Sequence, residues 1–152
     1  MKKKFLMVCL GNICRSPLAE GILASKLDAN QYEVDSASTS NWHIGKLPDT
    51  RSIATANSHQ IDISQQRARQ FQVSDFDTFD RIFVMDNSNY ENVIALARNE
   101  ADIQKVSRIL DVLHPGENKE VPDPYYGGDE GFEKVYQMLD EACDKIVEDL
   151  KE

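Results

Sequence analysis

The chain has 152 residues and a formal net charge of −9, with 26 acidic against 17 basic side chains. That length suffices for one domain with a real core, and residues 1–152 read as a single domain without linker, repeat or low-complexity tract. The acidic balance argues against general nucleic-acid binding and against an anionic membrane surface, because both need many Lys and Arg.

Phe5 to Cys9 is a continuous apolar run, the pattern of a strand buried on both faces. Ser16 suits a helix N-cap and Pro17 the first helical position, which predicts a helix from Pro17 to about Leu27. Tyr32 to Ala37 is a second strand candidate. Ser38 to Asp49 reads as loop, punctuated by Gly45 and Pro48, and Thr50 to His59 as a weak helix. Arg81 to Met85 repeats the buried-strand pattern and ends at Asp86, with a helix expected from about Ser88 to Ala97. Val106 to Val112 offers a fourth strand, and His114 to Tyr126 is a loop rich in Pro and Asp. Phe132, Val135, Tyr136, Leu139, Cys143, Ile146, Val147 and Leu150 then trace one face of a last helix. Strands alternating with helices imply an α/β sandwich with a mostly parallel sheet. Such folds bind ligands beyond the carboxyl ends of the strands, where Cys9 and Asp86 both fall.

The run Cys9-Leu10-Gly11-Asn12-Ile13-Cys14-Arg15-Ser16-Pro17 has the form Cys, five residues, Arg, Ser. It joins a strand to a helix. A loop folded there turns backbone N–H groups inward to form an anion cradle, and positive dipoles favour a thiolate at its floor. Arg15 adds a planar fork of donors matched to phosphate oxygens. An anion cradle with a nucleophile in its floor suits phosphoryl transfer. The plainer reading of Cys9 alone is an inert core cysteine; the Gly11-Asn12 turn, Arg15 and the following helix argue against it. A metal site is not expected, since His43, His59 and His114 are scattered. A nucleotide P-loop lacks its Gly-Lys-Ser/Thr. A thiolate attacking a phosphate ester needs a proton donor for the leaving oxygen. Asp123, stiffened between Pro122 and Pro124, is the candidate, although Asp between prolines is more often a turn residue. Tyr125 and Tyr126 beside it read either as packing or as walls for an aromatic ring.

With Asp35-Ser36-Ala37, Asn41-Trp42, Arg67-Ala68-Arg69-Gln70, Met85-Asp86 and Asp123-Pro124-Tyr125-Tyr126 in order after the first loop, the chain closely resembles the low-molecular-weight protein tyrosine phosphatases. The resemblance implies a three-layer sandwich around a four-stranded parallel sheet with flavodoxin-like, doubly wound topology. It implies hydrolysis of protein phosphotyrosine and small aryl phosphates, with Cys9 as nucleophile, Arg15 on the phosphate and Asp123 as general acid and then base. The phosphate-binding loop would be Leu10, Gly11, Asn12, Ile13, Cys14 and Arg15, with Asn12 in a left-handed conformation. Ser16, Ser36 and Asp86 would support that loop, and Trp42, Tyr125 and Tyr126 would line the mouth. Cys14, on the same tight loop, reads either as a redox partner that captures an oxidised Cys9 or as a residue that only packs in the loop. Neither metal nor organic cofactor is called for. Phosphotyrosine proteins are the expected partners, and phosphate and vanadate the expected inhibitors. One departure is visible: Gln66 stands where many relatives carry a loop-supporting His.

Three rivals share parts of this pattern. A thioredoxin-coupled arsenate reductase resembles the family in fold, but needs further cysteines, and none lies between Cys14 and Cys143. An arginine phosphatase of the same fold resembles it too, with a Thr where this loop has Ile13. A non-catalytic phosphoprotein-binding module would need neither nucleophile nor acid. The odd, small cysteine count points to a reducing, cytoplasmic compartment. The apolar run after Lys2-Lys3-Lys4 is too short for a signal peptide, and no stretch reaches membrane-spanning length, so no membrane insertion is expected.

Overall fold

The first apolar run forms β1 (Lys3–Cys9), and from Phe5 onward every residue of it is buried. It lies between β2 (Tyr32–Ser38) and β3 (Arg81–Val84), with β4 (Val106–Arg108) beyond β3. The strand order is β2-β1-β3-β4 and all three pairings are parallel. This is the four-stranded, doubly wound sheet expected of the sequence. Strand order reverses between β1 and β3, so the carboxyl ends of these two strands frame a crevice. The computed structural model describes residues 2–126 and 129–151, without the side chains of Tyr126 and Asp129.

The period-two alternation of β1 builds both cores. Phe5, Met7 and Cys9 pack with Leu18, Ile22 and Leu23 of α1 (Arg15–Lys26) and with Val135, Leu139 and Cys143 of α6 (Asp129–Leu150). Leu6 and Val8 point to the other face, toward Phe71, Phe76, Phe79 and Val93. Each such fully buried side chain contributes roughly 1.5–3 kcal/mol relative to exposure, which keeps this short run in the middle of the sheet. The predicted face of the last helix is the face that is buried, from Phe132 through Ile146. Among the described residues no helix is long and apolar enough to cross a membrane.

Several boundaries differ from expectation. The first helix starts at Arg15, so Cys14 holds the N-cap position without a side-chain bond and Ser16 is inside the helix. The Ser16 hydroxyl is instead engaged by Cys9 and Asn12, and Pro17 sits in the first turn, where a missing N–H costs nothing. The fourth strand ends at Arg108, and Ile109–Val112 wind into a 3₁₀ turn that returns Ile109 and Leu110 to the core. The third strand stops at Val84. The helix after it, α4 (Asn87–Ile94), begins early because the Asp86 carboxylate caps the Asn89 N–H at 2.8 Å. The helix at Thr50 is α2 (Thr50–Ser58). Two short helices were not foreseen, α3 (Asp75–Thr78) and α5 (Glu100–Lys105), nor was the 3₁₀ turn Pro124–Tyr126 within the expected loop.

Candidate active site

Only five residues separate Cys9, at the end of β1, from Arg15, at the start of α1, so the loop between them is tight. It turns through Asn12, whose φ of 58° lies in the left-handed region. For a residue with a Cβ that conformation costs about 1–2 kcal/mol. Three hydrogen bonds, each worth about 0.5–1.5 kcal/mol, offset it. The Asn12 amide nitrogen donates to Ser16 Oγ at 2.7 Å and to Ser36 Oγ at 2.9 Å, and its oxygen accepts from the Arg69 N–H at 3.1 Å. The turn aims the Asn12 backbone N–H at Cys9 Sγ, 3.3 Å away. Ser16 Oγ lies 3.1 Å from the same sulfur. Because Ser16 already accepts from Asn12, its own proton is free to point at the sulfur.

Arg15 is buried, with its side chain only 3% exposed. Nη1 donates to Asp86 Oδ2 at 2.7 Å and to the Val121 carbonyl at 3.0 Å. Nη2 stands 3.7 Å from Asp123 Oδ2. Burial works against the Arg15 charge, but Cys9, Asp86 and Asp123 outweigh it and hold its pKa above the ordinary value. Burial also pushes the Cys14 thiol up to about 12, with Asp49, Cys9 and Asp123 adding to the rise. All three cysteines are free.

These groups meet in a cleft of about 350 Å³ at the carboxyl edge of β1. Cys9, Leu10, Gly11, Ile13, Cys14 and Arg15 line its floor, and Trp42, His43, Asp123 and Tyr125 its walls. Trp42 is 64% exposed and Tyr125 42%, so both stand at the rim rather than in the core. Gly11 leaves room for the wall: a Cβ on it would lie 3.0 Å from His43 Cδ2, a tight contact that would push the imidazole aside.

Residues 4–152 match the family model described as low molecular weight phosphotyrosine protein phosphatase. The chain belongs to this family. It is therefore a protein tyrosine phosphatase, a hydrolase of phosphate monoesters. The human low molecular weight phosphotyrosine protein phosphatase is 39% identical over 151 residues, covering 96% of this chain and 94% of the human one. That of Schizosaccharomyces pombe is 40% identical over 139 residues, 88% of each chain. Among solved structures, the protein tyrosine phosphatase of Entamoeba histolytica, with Hepes in its active site, superposes with a TM-score of 0.90 at 37% identity. That match covers 99% of this chain and 97% of the other. Vibrio vulnificus Wzb in complex with benzylphosphonate gives 0.87 at 30% identity, covering 98% and 99%.

In this phosphatase the residues singled out by sequence fall into two shells. Cys9, Arg15, Asp123, Trp42 and Tyr125 surround the cleft. Asn12, Ser16 and Ser36 brace the loop from behind, and Asp86 reaches it through Arg15. The side chain of Tyr126 lies outside the described residues. Gln66 does not reach Asn12: its amide donates to the Pro17 carbonyl at 3.1 Å, and the Arg69 N–H occupies Asn12 Oδ1. Sequence reasoning missed His43 in the wall and Glu20 behind the loop. Glu20 Oε1 accepts from Ser36 Oγ at 2.6 Å and so ends the chain that begins at Cys9. No sequence signal marks Glu20, which looks like any polar residue of an amphipathic helix.

Burial raises the Glu20 pKa from an ordinary 4.5 to about 7, and Asp35 adds to the rise, while Ser36 and Arg69 oppose it. Between those values the folded chain holds a proton that the unfolded chain has released, so stability falls as pH rises through that window. Glu20→Gln, which cannot ionise, should gain stability relative to wild type on going from about pH 5 to about pH 8. Urea unfolding across that range measures this. A wild-type-to-variant difference that stays constant would mean that Glu20 is ionised throughout.

Proposed function

We propose that this tyrosine phosphatase works through a phosphocysteine formed on Cys9. The observation that carries the reading is the meeting of Cys9 Sγ, the Arg15 guanidinium and the Asp123 carboxylate in one cleft, with Asp123 Oδ2 3.7 Å from Arg15 Nη2. The sulfur attacks phosphorus as the ester P–O bond breaks, and Asp123 protonates the departing phenolate oxygen. Asp123 then takes a proton from the water that cleaves the P–S bond and releases inorganic phosphate. Arg15 and the loop N–H groups stabilise the equatorial oxygens throughout. The Ser16 hydroxyl, directed by Asn12, steadies the thiolate when it attacks and when it leaves. No step of this sequence needs a metal or organic cofactor. Protein phosphotyrosine is the substrate. Three free cysteines suit a reducing, cytoplasmic setting.

Cys9→Ser should abolish turnover yet still bind phosphate, because the loop and Arg15 remain. Asp123→Ala should lower kcat/KM on phenyl phosphate by roughly 10²–10⁴-fold, and much less on esters whose leaving group hardly needs a proton. Phosphate and vanadate should inhibit competitively, and EDTA should have no effect. Substantial turnover by Cys9→Ser, or an Asp123→Ala loss equal across leaving groups, would falsify these roles.

Specificity follows from the rim. An aryl phosphate brings an apolar ring for Trp42 and Tyr125 to flank, and its length carries the phosphate to the floor, which a serine stem does not reach. The benzylphosphonate held by the Vibrio vulnificus relative pairs an aromatic ring with a phosphorus oxyanion in the same way. Ile13, in the floor, offers a guanidinium group no acceptor, and unpaired donors there are costly. Phosphotyrosine peptides should therefore exceed phosphoserine and phosphoarginine peptides in kcat/KM. Ile13→Thr should narrow the gap to phosphoarginine and Trp42→Ala the gap to phosphoserine. Wild-type preference for phosphoarginine overturns the assignment.

Cys14 shares the loop with Cys9 and provides a trap for oxidation. Peroxide converts the Cys9 thiolate to a sulfenic acid, and Cys14 condenses with it, releasing water and leaving a disulfide. Peptide mapping after mild peroxide should find the Cys9–Cys14 crosslink, reversed by dithiol with recovery of activity. Sulfinic acid at Cys9 beside a free Cys14 counts against it.

A further inference from the structure

Asp123 bears on the leaving oxygen, so its position relative to the phosphate loop must be held. Its carboxylate is 31% exposed, and its approach to Arg15, at 3.7 Å, is longer than a hydrogen bond. The segment that carries it is tied down on both sides. Before it, the Val121 N–H donates to the Met85 carbonyl at 2.8 Å. After it, the Tyr125 N–H donates to Asp123 Oδ1 at 3.0 Å, and the Tyr125 carbonyl accepts from Arg51 Nη2 at 3.1 Å.

Arg51 is itself held from several directions. It stands in the first turn of α2, and its Nε and Nη2 donate to the two oxygens of Asp49, each at 3.1 Å. Its guanidinium carbon lies 4.6 Å from the ring centre of buried Phe132 and 5.5 Å from that of Tyr125. Asp49 caps α2 by accepting from the Arg51 N–H at 2.8 Å, and its own N–H donates to the Ile13 carbonyl in the phosphate loop, also at 2.8 Å. Burial opposes the Asp49 charge, yet the bonds from Arg51 outweigh it and hold that carboxyl below its ordinary value. A continuous run of directed contacts thus leads from Ile13 through Asp49, Arg51 and Tyr125 to Asp123. A planar, bidentate, stacked site of this kind is one that Lys does not reproduce.

We propose that Arg51 is a positioning residue for the phosphatase reaction, a strut that fixes the Asp123 segment against the phosphate loop. This rests on Asp123 being the proton donor. Misplacement of a reacting group by about 1 Å can cost 10²-fold in rate. The cost falls on the step that needs the proton, and phosphate binding is spared.

The test compares wild type, Arg51→Met and Arg51→Lys on phenyl, p-nitrophenyl and 2,4-dinitrophenyl phosphates. Arg51→Met keeps an apolar side chain of similar length beside Phe132 and removes every donor. It should lower kcat/KM on phenyl phosphate by roughly 10–10²-fold and leave the dinitrophenyl ester within about twofold, with inhibition by inorganic phosphate unchanged. Arg51→Lys should lie between, and carries the test if thermal melting shows Arg51→Met unfolded. In an Asp123→Ala background Arg51→Met should cause no further loss on phenyl phosphate, because a strut without its load does nothing. Equal loss on all three esters, weakened phosphate inhibition, no loss at all, or full additivity with Asp123→Ala each overturns the proposal. If Asp123→Ala alone shows no dependence on leaving group, the proton-donor reading has failed first, and the two failures are told apart.

Discussion

The buried Arg15–Asp86 pair organises this molecule. A guanidinium removed from water is costly unless its donors are met, and breaking such a pair by removing one partner costs about 3–5 kcal/mol. Asp86 meets it while doing a second task, with Oδ2 on Arg15 and Oδ1 capping α4. The Val121 carbonyl meets Arg15 as well. Three distant stretches of chain converge because one side chain needs all of them: the loop after β1, the end of β3 and the segment before Asp123. The reversal of strand order between β1 and β3 makes the convergence possible, by placing residues 9 and 86 at the mouth of one crevice.

The pair also accounts for how an acidic protein holds an anion. With a net charge of −9 the overall field repels phosphate, so attraction has to be local. Arg15 supplies charge at short range, held in place by Asp86 and the Val121 carbonyl. The Asn12 turn adds N–H dipoles without adding charge. Selectivity for an oxyanion thus comes from geometry close to phosphorus, to which the acidic overall charge contributes nothing.

What the sequence makes legible is what is contiguous or periodic. Cys9 to Arg15 is one unbroken run, and Asp123 stands between two prolines. The β1 strand and the α6 face announce themselves through burial at periods of 2 and 3.6. Relations through space are not written that way. Glu20 joins the loop only because Ser36, on another element, lies between it and Asn12. Arg51 and Tyr125 are far apart in sequence, and nothing local to either names the other. Ser16 shows the opposite error. Its residue type and place beside Pro17 fit an N-cap, but the sulfur and Asn12 claim its hydroxyl first. The turns at α3, α5 and Ile109–Val112 are too short to display a period, and a short stretch rich in Val, Ile and Leu such as Val106 to Val112 reads as strand whichever way it bends.

The long separation between Arg15 and its partners has a consequence for the chain during synthesis. Chains emerge N-terminus first at roughly 5–20 residues per second. Cys9 therefore leaves the ribosome well before Asp86, and Asp86 before Asp123. Until Asp86 arrives, Arg15 has no buried partner and gains nothing by entering the interior, so the loop around Cys9 has no reason to close. A nascent or truncated chain lacks the assembled surroundings of Cys9. Assembly of the loop is thereby tied to completion: Cys9 takes its final setting only after the sheet that shelters it has formed.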